Sequence, residues 1–238
     1  MKTLTTEEYS RFSRHLSLNE IGESGQQKLK NAKVLVIGAG GLGSPLLIYL
    51  TAAGVGCIGM VDDDVVALSN LQRQVLYTTG QLGQKKIEVA AQRLQDLYPE
   101  IEIQLYDQRL NAENAAGLIE KYDVVADCSD NFATRQLLGR ETQRLGKPLA
   151  FASVMNYEGQ VTVFNYQNGP AFGQLYPSVP KDGIFKTEDI GLIGVLPGIA
   201  GSLQANEVIK IITGYGEVLS GKLLVFSILE NRFNLFSF

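Results

Sequence analysis

The chain has 238 residues, 45% of them hydrophobic and 19% charged, a globular composition with enough apolar residues for one large core. Its formal net charge of -4 and pI of about 5.2 exclude a general nucleic-acid binder. No apolar run reaches the roughly 18–20 residues of a membrane span. The polar stretch Met1–Ser10 carries no secretory signal, and Cys57 and Cys128 are too few for a disulfide framework. A cytoplasmic protein is expected. A four-ligand zinc site within the chain is excluded, because His15 is the only histidine.

Taken in order, the elements alternate. Lys33–Gly38 (KVLVIG) has the pattern of a buried parallel strand, and Ser44–Ala53 follows as a helix with Pro45 in its first turn. Cys57–Asp62 is a second strand. Lys85–Tyr98 places Ile87, Ala90, Ala91, Leu94 and Leu97 on one helical face, and Pro99 closes it. Ile101–Tyr106 and Tyr122–Asp127 read as strands separated by a short helix at Ala112–Lys121, then Phe132–Leu145 as a helix and Pro148–Ser153 as a strand. Such alternation predicts an α/β fold, a doubly wound, mostly parallel Rossmann-like sheet. Beyond it, Glu158–Tyr166 alternates like an antiparallel strand, 168–189 has no periodicity, and Gly198–Thr213 returns to a helix. Lys222–Leu229 and Arg232–Phe238 close the chain as two antiparallel strands. No linker interrupts residues 1–238, which are read as one domain with an N-terminal helical arm at 1–30.

Gly38-Ala39-Gly40-Gly41-Leu42-Gly43 joins the first strand to the first helix. Glycines admit close approach of backbone to phosphate, and the helix N-terminus supplies free N–H groups. Asp62 ends the second strand roughly 20 residues on, where an acid holds ribose hydroxyls. Asp63 and Asp64 follow it. These features suit an NAD-dependent oxidoreductase as well as an ATP enzyme. Ser69-Asn70-Leu71-Gln72-Arg73-Gln74 adds amides and a cation, and Lys85-Lys86 opens a helix where lysine is disfavoured unless an anion or open solvent faces it. Asp127-Cys128-Ser129-Asp130-Asn131 lies at a strand's carboxyl end, and Asp130 either holds magnesium or caps the next helix. Together these are equipment for a triphosphate. With one histidine, proton-transfer chemistry is poorly provided for, whereas a carboxylate attacking an α-phosphate is already ionised and needs no general base.

These segments, together with Arg11-Phe-Ser-Arg14-His15, Gly83-x-x-Lys86, Glu158-Gly-Gln-Val and Gly201-Ser-Leu-Gln-Ala, resemble the ThiF/MoeB/HesA family over nearly the whole chain. The resemblance implies an ATP- and magnesium-dependent adenylyltransferase. Its substrate would be the C-terminal glycine of a ubiquitin-like sulfur-carrier protein, ThiS-like for thiamine or MoaD-like for molybdopterin. It assigns Gly38, Gly40, Gly41, Gly43, Asp62, Asp64, Asn70, Arg73, Gln74 and Lys86 to the nucleotide and Asp130 to magnesium. Arg14 would reach the phosphates from the second subunit of a homodimer, and 168–189 would be the crossover loop over the carrier tail.

Two departures modify that expectation. A C-x-x-C pair that helps bind zinc in many relatives is replaced by Ala171 and Gln174, and no second pair precedes Phe238. Thr187 stands where many relatives have a cysteine, so no covalent acyl link to the enzyme is expected there. Cys57 and Cys128 read as small buried hydrophobes. Arg135 either lines the tail channel or pairs with nearby acids, and Arg11 has no assigned role. A nucleotide-binding adaptor without turnover is the alternative from a different functional class.

Overall fold

The computed structural model describes residues 3–178 and 191–238. The arm consists of α1 (Thr6–Arg11), α2 (Ser13–Leu16) and α3 (Gly22–Asn31). Strand and helix then alternate through β1 (Lys33–Ile37), α4 (Gly43–Ala52), β2 (Cys57–Val61), α5 (Lys86–Leu97) and β3 (Glu102–Tyr106). They continue through α6 (Ala115–Ile119), β4 (Val124–Asp127), α7 (Phe132–Leu145) and β5 (Leu149–Met155). The last elements are β6 (Glu158–Phe164), α8 (Phe172–Leu175), α9 (Val195–Thr213), β7 (Lys222–Ser227) and β8 (Arg232–Ser237).

The strands form one sheet in the order β3-β2-β1-β4-β5-β6-β7-β8. The first five are parallel, and β6, β7 and β8 join antiparallel, as the sequence predicts. Strand order reverses between β1 and β4, which opens a crevice at their carboxyl ends where sheets of this kind bind ligands. Both faces of the centre are covered. Val34, Val36, Ala126 and Ala150 face a core with α4, α5 and α9, while Leu35, Ile37, Val125 and Phe151 face a second core with α6 and α7. This explains why the central strands read as unbroken apolar runs.

Local chemistry accounts for where the expectations needed trimming. The helix read at Ala112–Lys121 shortens to α6 because Asn111 and Asn114 exchange backbone-to-side-chain bonds of 2.8 and 3.1 Å, an Asx turn in place of a helical turn. Within 168–178, read as loop, the buried Phe172 ring packs against Phe151, Phe164 and Tyr176 and holds the short α8. The N-terminal arm is fastened by a buried carboxylate. Glu8 accepts from Lys30 Nζ, the Tyr98 hydroxyl and the Thr5 amide. Burial works against its charge, yet these donors prevail and hold the carboxyl below its ordinary value. Arg11 also finds a structural role, donating to the Leu97 carbonyl at the end of α5 and lying over the Tyr98 ring.

The 19-residue α9 crosses the middle of the sheet, and the residues it buries there include the small Ala200, Gly201 and Ala205 and the hydrogen-bonded Gln204. Gln204 is fully buried and donates from Nε2 to the carbonyls of Asp127 and Ala150 at 2.8 and 2.9 Å, joining β4 to β5. Its Oε1 accepts from Cys128 Sγ at 3.4 Å. At Gly201 an added Cβ would lie 2.3 Å from the Leu42 carbonyl oxygen and 2.7 Å from Pro45 Cγ. Gly201→Ala is therefore expected to cost about 1–3 kcal/mol by forcing α9 off α4. Urea denaturation of the variant beside wild type measures this.

Candidate active site

The turn from β1 into α4 is the floor of the site. Gly38 has φ +96°, and an added Cβ on it would lie 2.7 Å from the Cys128 carbonyl oxygen. An added Cβ on Gly43 would lie 2.2 Å from the Gly38 carbonyl oxygen. Both glycines are steric requirements of a turn this tight. The Ala39 amide donates to Asp62 Oδ2 at 2.8 Å and the Ala39 carbonyl accepts from the Tyr77 hydroxyl at 2.7 Å. The N–H groups of Gly40 and Gly41 donate to none of the described residues.

Asp62 therefore shapes the loop as well as bordering it. Its Oδ1 accepts from the Asp64 amide at 2.9 Å, and burial pushes its carboxyl up while the two amides and Lys86 oppose that shift. A carboxylate with one amide on each oxygen keeps further acceptor capacity for a sugar hydroxyl. Asp63 is occupied elsewhere, paired with Arg109 at 2.9 Å. Asp64 pairs with Lys86 Nζ at 2.8 Å. Backbone bonds from Lys86 to the Asp64 carbonyl and from Val66 to the Gln84 carbonyl bind the two segments side by side. Lys86 is buried at the first residue of α5, where a cation is disfavoured, and the exposed Asp64 carboxylate neutralises it. An arriving phosphate would compete with Asp64 for that ammonium.

The polar loop seen in the sequence forms a 3₁₀ turn, Leu68–Asn70, whose following residues pack onto the glycines. The space a Gly41 side chain would fill is bounded by Arg73 Cγ at 3.4 Å and Pro197 at 3.3 Å. The space beside Gly40 is bounded by Gln74 Nε2 at 3.4 Å. Gln74 is buried, and its Oε1 is without a partner among the described residues. Pro197 and Gly201 bring the first half of α9 alongside the start of α4, so both helices begin at the glycine turn. Their aligned peptide dipoles favour an anion there.

Across the crevice, β4 ends in the buried Asp127, and the exposed Asp130 follows three residues on. Asp127 Oδ1 accepts from the Ser129 amide and hydroxyl at 3.0 and 2.6 Å, which folds the chain so that Asp130 follows at the rim. Burial pushes the Asp127 carboxyl up, against the pull of Arg135. Arg135 donates to the Ser129 carbonyl and to Ser153 Oγ, and its guanidinium lies 5.5 Å from the centre of the Phe151 ring. It thus ties the Asp130 turn to β5.

This arrangement of glycine turn, acid-tipped strands and converging cations can be set beside known proteins. The ThiF family model matches residues 12–238. The chain belongs to the ThiF family. The sulfur carrier protein adenylyltransferase of Thermus thermophilus is 45% identical over 235 residues, which are 96% of this chain and 87% of that protein. A probable molybdopterin-synthase adenylyltransferase of Porphyra purpurea is 41% identical over 98% of this chain, and the adenylyltransferase and sulfurtransferase MOCS3 of Xenopus laevis 46% identical over 97%. This chain spans only 62% and 51% of those two proteins. Among solved structures, E. coli MccB with MccA-N7isoASN matches with a TM-score of 0.85 at 23% identity, covering 98% of this chain and 72% of that one. SeMet PaaA matches with a TM-score of 0.83 at 22% identity, covering 100% and 75%. At those identities the likeness is one of fold.

Within this ThiF-family chain the glycine turn adjoins Asp62, Arg73 and Gln74, and the Asp64–Lys86 pair is tied to Asp62, whereas Arg14 lies apart. Arg14 is exposed on α2, and the neighbouring Phe12 packs its ring on Gly54, beyond the end of α4. The glycine turn lies at the other end of this ten-residue helix, about 15 Å away by helical rise. Ala171 and Gln174 form a capped turn in which Gln174 Oε1 accepts from the Ala171 amide at 2.8 Å. Thr187 and the 179–189 part of the expected crossover loop lie outside the described residues. Tyr77 and Gln204 support the site in ways the sequence does not announce. Gln204 lies inside the Gly201-Ser-Leu-Gln-Ala segment, and nothing local in the sequence marks Tyr77.

The sequence allows Asp130 to be a metal ligand or a helix cap, and the cap is Asn131. Asn131 Oδ1 accepts from the Thr134 amide at 2.9 Å, leaving Asp130 at the crevice. Among the described residues no three carboxylate, thiol or imidazole groups are placed so that together they could hold a metal ion. Magnesium bound through nucleotide phosphates takes only one or two protein carboxylates, and the rim position of Asp130 fits that role. Asn131→Ala is expected to lower stability by about 1 kcal/mol through loss of the cap. Asp130→Ala should leave the melting temperature within a degree or two, and calorimetry on both variants checks the division of labour.

Proposed function

We propose that this protein adenylates the C-terminal glycine carboxylate of a ubiquitin-like sulfur-carrier protein, using ATP and magnesium. The observation that carries this reading is the glycine turn with two undonated amides, overlain by Arg73 and bordered by Asp62. Asn70, Arg73, Gln74 and Lys86 take the phosphates, Asp62 takes the ribose, and Asp64 releases Lys86 as the phosphates arrive. Asp130 holds magnesium, which when bound supplies positive charge to the phosphate oxygens. The carrier's carboxylate attacks the α-phosphorus, the bond to the bridging oxygen breaks, and pyrophosphate leaves with that bond's electron pair. The residues contribute alignment and charge neutralisation, and no side chain has to move a proton. The names of the Thermus, Porphyra and Xenopus relatives support a carrier substrate of this type. ThiS-like and MoaD-like carriers, serving thiamine or molybdopterin, both suit the chemistry.

Arg14 enters this scheme through a second copy of the chain. From its own helix it sits at the wrong end of α4, while an open apolar groove of about 560 Å³ adjoins Arg73. Val75 and Val195, exposed at 65% and 57%, line it. A homodimer through this face would cover those side chains and bring a partner's cation to the phosphates.

ATP–pyrophosphate exchange, with each purified carrier added separately, tests the reading. Exchange should require magnesium, one carrier and its free C-terminal glycine, and Arg73→Ala and Asp130→Ala should each lower it by at least about a hundredfold. Carrier-independent exchange, or none with either carrier, would sink the assignment. For the shared site, Arg14→Ala and Asp130→Ala proteins should each be nearly inactive alone. After mixing under conditions that exchange subunits they should recover up to about a quarter of wild-type activity, and no recovery would mean each chain works alone.

A further inference from the structure

The middle of the glycine turn is held by a residue that none of the phosphate-binding positions includes. Tyr77 is buried, and its hydroxyl donates to the Ala39 carbonyl at 2.7 Å. That carbonyl and the Gly40 N–H belong to one planar trans peptide, so they point in opposite directions. Fixing the first fixes the second. The preceding peptide is fixed in the same way, because the Ala39 N–H donates to Asp62 Oδ2 at 2.8 Å and directs the Gly38 carbonyl toward Gly43. Two successive peptides are thus clamped from opposite sides, and the Gly40 N–H is aimed away from Tyr77, with no protein acceptor among the described residues.

Tyr77 also anchors the segment that carries the cation. Its own amide donates to the Gln74 carbonyl at 3.2 Å, and Gln74 in turn donates to the Asn70 carbonyl at 2.9 Å. The chain from Asn70 through Gln74 is therefore registered on the glycine turn through a hydroxyl three residues beyond its end. Burial, with Asp62 and Asp64 nearby, pushes the phenol far above its ordinary value, so it remains a donor at any working pH.

We propose that Tyr77 is a positioning residue for nucleotide phosphate binding, aiming the Gly40 amide and holding Arg73 over the turn through its bond to the Ala39 carbonyl. The inference rests on the ATP reading given above. It separates two parts of the ligand, because the clamp governs the phosphate side whereas Asp62 meets the ribose directly.

Calorimetric titration of wild type and Tyr77→Phe with ATP-magnesium and with adenosine tests it, since the variant keeps the ring and removes only the hydroxyl. Expected is a tenfold or greater loss in ATP affinity with adenosine affinity changed less than twofold, together with a raised KM for ATP and an unchanged KM for the carrier. Equal weakening of both ligands, or ATP affinity within twofold of wild type, would overturn the proposal and leave Tyr77 as core packing. Should the phenylalanine variant fail to fold, Tyr77→Met fills similar volume without a hydroxyl and is read by the same ratio. Wild type that binds no ATP would overturn the underlying nucleotide reading as well.

Discussion

A side chain at Gly43 would drive its Cβ to 2.2 Å from the Gly38 carbonyl oxygen, and that single approach governs much of what surrounds it. Because the chain can turn from β1 into α4 within six residues, the helix begins directly over the end of the strand. Its free amides then face the crevice opened by the reversal of strand order. The neighbours meet the same limit on space. Gly201 lets α9 lie against Leu42, and Pro197 and Arg73 close over Gly41. A bulkier residue at any of these points would move a helix, and the sheet below could not follow without breaking its ladder.

Electrostatics then decides what the crevice accepts. The chain is acidic overall, and Asp62, Asp63, Asp64 and Asp130 all stand at the carboxyl ends of the strands. A bare acidic rim would repel a triphosphate. Much of that repulsion is cancelled locally: Asp63 is matched by Arg109, Asp64 by Lys86, and Asp62 by two backbone amides. Asp130 is left exposed just before the start of α7, so the crevice holds both a patch for anions at the glycine turn and a carboxylate for a cation. The pairing of buried Lys86 with exposed Asp64 keeps an ammonium at a helix start that would otherwise reject it.

The sheet's second half solves a different problem. Five parallel strands need helices on both faces, but the antiparallel additions β7 and β8 are covered less and less. Phe233, Leu235 and Phe236 are more than half exposed, although Phe233 stacks on the buried Phe226. The outer strands are therefore held by their ladder and a few ring contacts, while the nucleotide end of the sheet is packed on both sides.

The sequence alone determined the elements whose cause is local. The apolar runs of β1, β2 and β4 read as buried strands, and the spacing of Ile87, Ala90, Ala91 and Leu94 as a helix. The change to antiparallel order after β5 follows from the alternation in Glu158–Tyr166. Motifs contiguous in the chain, from the glycine turn to Asp127–Asn131, were legible for the same reason. What depends on distant partners was not. Only the tertiary structure gave the cap to Asn131 and freed Asp130, paired Lys86 with Asp64, and placed Arg14 at the far end of α4 from the glycines. It also gave Tyr77 and Gln204 their supporting bonds across 38 residues to Ala39 and 54 to Ala150. A side chain's hydrogen bond is fixed by where the folded backbone puts its partner, and no periodicity in the chain records that distance.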